Sequence, residues 1–122
     1  LIEATMFNFK ILSFVLFVLS LGLLSGSYAA VEGRSGKVTS IMAHDTLYGN
    51  CMIYIASSST IDCPGGWVSL SCSGQLNTRS NAARMLEMAQ MAYATSTNVY
   101  VNVTDEKKHN GYCVVNRLDI SK

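Results

Sequence analysis

The sequence is poor in charge, proline and tryptophan. Of its 122 residues only 14% are charged, the formal net charge is +1, and Pro64 and Trp67 are the sole residues of their kinds. Near-zero charge argues against a protein that lives on phosphate backbones, because such binding rests on a basic face, so nucleic acid is a disfavoured partner. The length allows one domain and excludes a doubly wound cofactor-binding fold with a separate substrate domain. No G-x-S-x-G, H-E-x-x-H or P-loop pattern occurs, and no two cysteines stand in the C-x-x-C spacing usual at zinc sites. The expectation is a non-enzymatic chain without catalytic residues, metal or cofactor. Internal repeats, linkers and low-complexity segments are also missing.

What is present begins with a targeting pattern. Lys10 precedes an apolar stretch from Ile11 to Leu24, followed by Ser25, Gly26, Ser27, Tyr28, Ala29 and Ala30. A positive start, a short apolar run and small residues at the exit describe a secretory signal peptide. The run is shorter than the ~20 residues a membrane span requires. Cleavage after Ala29 places Ser27 and Ala29 at the two positions that must be small. Residues 1–29 are read as the leader, with residues 1–5 as an upstream over-read before Met6, and residues 30–122 as one mature domain, secreted or periplasmic. All four cysteines, Cys51, Cys63, Cys72 and Cys113, lie in the mature part. An even count in a short exported chain predicts two disulfides.

Period-2 alternation places strands at Lys37 to His44, Cys51 to Ala56 and Trp67 to Cys72. A helix follows over Ala82 to Thr95, capped by Thr78 or Ser80 and built from good helix formers without glycine or proline. Asn98 to Thr104 is a strand with Val99, Val101 and Val103 on one face. Asp105 to Gly111 reads as a polar turn ending in Asn-Gly, and Tyr112 to Ile120 is the last strand. The order β-β-β-α-β-β, with one helix between strands three and four, is that of a mainly β, five-stranded OB-fold barrel. In such a barrel strands two and three form a hairpin, and strands three and five run side by side. Of the three possible connectivities, this favours Cys51–Cys72 and Cys63–Cys113.

The helix carries only Arg84 and Glu87 as charges. Methionine, alanine, leucine and tyrosine cover most of its circumference, more than one barrel face can bury. Met85, Met88, Met91 and Ala92 are therefore candidates for contact with a second subunit, where methionine suits adaptable packing.

From Lys37 to Ile120 the chain resembles the B subunits of the subtilase cytotoxin and typhoid toxin group, the pentameric receptor-binding halves of AB-type toxins. The resemblance rests on Cys51 opening strand two, Cys72 ending strand three, and the passage Ala89, Tyr93, Thr95, Val99, Val101, Val103. The chain is also similar to small uncharacterised exported bacterial proteins that end in a segment like Lys107 to Cys113. The toxin resemblance implies an OB barrel, a ring of five with helices lining the pore, binding of sialylated glycans, and a catalytic A subunit as partner. It carries over no sugar-contacting residue, because the family's tyrosine-and-serine segment near strand one has no counterpart in Gly36 to His44. Ser96 stands where a glycine is usual.

Few residues suggest chemistry. His44 and Asp45, as neighbours on a strand, are expected to point to opposite faces as loop polar residues. Asn102-Val103-Thr104 fits a glycosylation acceptor but lies inside a strand. The candidate ligand set is Tyr54, Trp67 and Tyr100 as outward aromatics beside a polar loop carrying Lys107, Lys108 and a solvated His109. The leading expectation is an exported binding protein that recognises a glycan or cell-surface partner, with a homo-oligomeric ring as one form it could take. The alternative is a monomeric, disulfide-stabilised periplasmic inhibitor or accessory protein, with an oligonucleotide binder ranked below both.

Overall fold

A computed structural model describes residues 30–121. The expected leader lies outside the described residues. Five strands and one long helix follow in order: β1 (Val31–Ala43), a single 3-10 turn (Thr46–Tyr48), β2 (Cys51–Ile55), β3 (Trp67–Ser69), α1 (Arg79–Thr95), β4 (Asn98–His109) and β5 (Tyr112–Ile120). The fold is mainly β. Strands pair in the order β1-β2-β3-β5-β4, with β4 returning to β1, and every pairing is antiparallel except β3 with β5.

Several boundaries depart from the sequence reading, three of them in the strands by three residues or more. β1 starts at Val31 rather than Lys37, because Val31 to Lys37 ladder against Thr104 to Asn98 of β4. Gly33, Arg34, Ser35 and Gly36 are weak strand formers, and their regular partner supplies the order. β3 stops at Ser69 rather than Cys72, since Ser71 turns left-handed at φ 55°. β4 runs to His109, so the expected polar turn over residues 105–111 is mostly strand. Asn110 and Gly111, at φ 49° and 83°, make a two-residue hairpin that lets both strands reach it.

Strand alternation builds the core. Ile53, Ile55, Val68, Leu70, Val99, Val101, Val103 and Val115 share the inner face and are buried. α1 lies against β1, β4 and β5 and presents Met85, Ala89 and Ala92, one helical stripe, to that core. Small alanines there bring the helix backbone close to the sheet. Thr78 caps its start by accepting from Asn81 N at 3.1 Å, and Ser96 ends it at φ 53°.

Two disulfides tie the ring: Cys51–Cys72 between the start of β2 and the segment after β3, and Cys63–Cys113 between residues 57–66 and β5. These are the pairs that the strand order favours. Each contributes about 2–4 kcal/mol by restricting the unfolded chain.

A charged pair also sits inside. Glu32 and Arg34 pair with Val103 and Val101, on the core-facing side of β1. Their side chains are 9% and 1% exposed and meet at 3.0 Å. Glu32 accepts further bonds from Thr60 N (2.6 Å), Thr60 Oγ1 (3.0 Å) and Ser59 Oγ (2.9 Å). Arg34 Nη2 donates to Pro64 O at 3.3 Å. Residues 57–66 are thus held on β1 by one part-buried carboxylate and one buried guanidinium. Burial opposes the carboxylate charge, yet the bonds from Thr60, Arg34 and Ser59 outweigh it and hold the Glu32 pKa down at about 2.

Candidate binding surface

Tyr100 lies between the buried Val99 and Val101, so alternation turns it outward, and it is 39% exposed. Its cross-strand neighbours are Ser35 on β1 and Asp119 on β5. The ring rests on Gly33, where an added Cβ would come within 2.9 Å of Tyr100 Cζ. Glycine is therefore what lets the ring lie across β1. One step along, Asn102 faces Gly33 and Arg117, and Asn98 faces Lys37. Arg117 and Asp119 form a two-bonded pair, Nε to Oδ1 at 3.1 Å and Nη2 to Oδ2 at 2.7 Å. The Asp119 carboxylate raises the Arg117 pKa above the usual guanidinium value, first through the hydrogen bond and then through charge.

This outer face joins an aromatic ring to a planar guanidinium, a carboxylate, two carboxamides and a hydroxyl. Such a set can stack on the C–H face of a saturated ring and offer both donors and acceptors to hydroxyl groups around it. Tyr100 belongs to the ligand set expected from the sequence; Gly33, Asn102, Arg117 and Asp119 do not. Of these only Asn102 has a signal in the sequence, the alternation of Asn98, Tyr100 and Asn102 against the three valines.

The other expected residues do not gather at one place. Tyr54 and Trp67 are cross-strand partners packed edge to face, centroids 5.3 Å apart at 78°, and both are half-buried. Gly66, at φ 89°, sits beneath the Tyr54 ring. This pair flanks β1 at Ser40, whereas Tyr100 flanks it at Ser35.

The expected charged loop is a bulge in β4. Thr104 pairs with Val114 and Lys108 with Cys113, so Asp105, Glu106 and Lys107 stand out of the ladder. Glu106 and Lys107 border a groove of about 240 Å³ with Val31, Leu76, Asn77 and Asn116. Lys108 is engaged, its ammonium 2.7 Å from Asp62 Oδ2, which lowers the Asp62 pKa through that bond and its charge.

Two expectations are corrected. His109 is not solvated: it is 7% exposed, with Nε2 2.9 Å from the buried Ser71 Oγ. The long β4 carries it inward, where a turn would have left it in water. His44 and Asp45 do meet, Nδ1 to Oδ1 at 2.8 Å. β1 has already ended at Ala43, so strand alternation no longer separates them. Asp45 also caps the 3-10 turn by accepting from Leu47 N at 3.0 Å, and that bond leads the lowering of its pKa. The pair is exposed.

The helix set divides as well. Met85 and Ala92 belong to the chain's own core, and Met88 is half-buried against it. They are not on an outer face, because they lie on the stripe that meets the sheet. Met91 and Tyr93 are the exposed large hydrophobic residues of α1, 62% and 54% exposed. Met91 lines an apolar groove of about 400 Å³ with Thr95, Thr97 and Ile120. Among the described residues no helix is long and apolar enough to cross a membrane.

No family model, curated protein or solved structure matches this chain.

Proposed function

We propose that this chain is an exported, non-enzymatic OB-fold binding protein, similar in role to toxin B subunits, that recognises a glycan on a cell-surface partner. The observation that carries this reading is the Tyr100 face: an exposed ring seated on Gly33 and bordered by Arg117, Asp119, Asn98 and Asn102. The five-stranded order with one helix between β3 and β4 supports the OB assignment. Two disulfides suit an oxidising compartment.

The ring of subunits is part of the same reading, with its contact moved outward from Met85 and Ala92 to Met91, Tyr93 and the groove beside Ile120. A catalytic A subunit would then be its partner. The test is a screen of the disulfide-bonded protein on immobilised glycans, with Tyr100→Ala alongside. Binding lost in the variant supports the reading, and binding to no glycan sinks it. Native mass tests the ring: a mass near one protomer removes it and favours the monomeric accessory protein.

A further inference from the structure

His109 ends β4 with little access to water, although no charged group holds it there. Its Nε2 lies 2.9 Å from Ser71 Oγ. The same hydroxyl oxygen accepts from Leu76 N at 3.0 Å. Ser71 N donates to Ser69 Oγ at 3.0 Å, and Ser69 Oγ donates to Tyr48 O at 2.8 Å. From the other side Gly49 packs directly on the ring: a Cβ there would meet imidazole Cδ2 at 2.6 Å and Nε2 at 2.8 Å. At φ 74° this glycine also fits its backbone. Ser73 N donates to Gly49 O at 3.0 Å, joining the two segments that cross the imidazole. Ser71 itself is held left-handed at φ 55°, a conformation that the surrounding bonds must maintain.

We propose that His109 is an acid-sensitive latch: a proton taken up by its imidazole releases residues 46–50 and residues 71–77 from the end of β4. The titratable and charged groups on the packed elements are few. The turn before β2 carries His44, Asp45 and Tyr48, and β5 opens with Tyr112. On β4 the neighbouring Lys108 ammonium is held by Asp62. Residues 71–77 bring only Cys72, which is in a disulfide. Among the described residues none of these forms an ion pair or hydrogen bond with the imidazole. Nε2 of the neutral ring has the Ser71 hydroxyl as its partner, whereas the imidazolium would sit in this little-exposed place without a counter-charge.

The direction follows from linkage. Burial lowers the His109 pKa below its ordinary 6.5. The released form therefore takes up the proton first as pH falls through 6.5, and stability of the closed arrangement, full above that pH, declines below it. This device is independent of what the Tyr100 face binds.

The test is amide exchange and imidazole NMR on the disulfide-intact protein. Between about pH 7.5 and about pH 5, protection of the Ser73 and Leu76 amides should fall ~10-fold beyond the intrinsic rate change. Val101 in the core should keep its protection. The His109 ring should titrate below 6.5, the loss of Leu76 protection should fall in the window between 6.5 and that ring midpoint, and His109→Gln should abolish the pH dependence. Unchanged Leu76 protection relative to Val101, or a loss lying outside that window, would overturn the latch. So would the same acid loss persisting in His109→Gln. Should that variant not fold, the position of the Leu76 loss relative to the ring titration in the unaltered protein decides alone.

Discussion

Two different contacts fill the inside of this small strand ring. Under α1 the contact is apolar: Met85, Ala89 and Ala92 meet the valines of β4 and Leu118 of β5. Under residues 57–66 it is ionic: Glu32 and Arg34 reach Ser59, Thr60 and Pro64. The apolar contact draws on burial alone and is insensitive to pH. The ionic one depends on every partner being present, because a buried charge left alone is costly. The helix therefore tolerates modest change, while residues 57–66 hang on a few specific bonds and one disulfide.

The largest expected effect is on the ionic side. Replacing both Cys63 and Cys113 by serine frees a loop spanning 50 residues, and should lower stability in urea titration by about 4 kcal/mol. Glu32→Ala should cost about 3 kcal/mol by stranding the Arg34 guanidinium, while the double variant Glu32→Leu with Arg34→Met should restore much of it. A Glu32→Ala variant as stable as the parent would erase the contrast. On the apolar side, Ala89→Leu should cost about 2 kcal/mol through overpacking, with no change in the pH dependence of unfolding. Of these two contacts, only the ionic one responds to acid. The Glu32 pKa is about 2, against 4.5 without its partners. Its stabilisation is present above pH 4.5 and lost as pH falls through the folded value. Acid unfolding of Glu32→Gln should therefore lack that part of the transition. The smallest effect belongs to Asp119→Asn on the exposed face, which should leave the urea midpoint where it is in the parent.

How legible each part is in the sequence follows from the same contrast. Regular alternation in Val99, Val101 and Val103 announces a buried strand, and Ala89 with Ala92 announces a helix stripe. β5 begins and ends where its residues predict. The strand order also leads to both disulfide pairs. By contrast, Gly33 to Gly36 reads as loop, because nothing local shows that β4 will pair with it. Glu32 and Arg34 carry the strand period, but charges at core positions are indistinguishable from surface ones until a loop supplies their partners. His109 is misread for a similar reason. A charged run suggests water, yet the bulge at Asp105 to Lys107 absorbs the charge and returns the strand to the inside. Of the candidate ligand residues, Tyr100 alone lies on the face that carries the functional reading, since Tyr54 and Trp67 pack on each other.

The most direct test of that reading is chemical-shift mapping of the disulfide-bonded protein during titration with a glycan that it retains on an array. Shifts should concentrate at Gly33, Tyr100, Asn102, Arg117 and Asp119, and be lost in Tyr100→Ala while the remaining spectrum stays that of the folded protein. Shifts centred on Tyr54 and Trp67, or on the groove at Glu106 and Lys107 with the Tyr100 face silent, would contradict it.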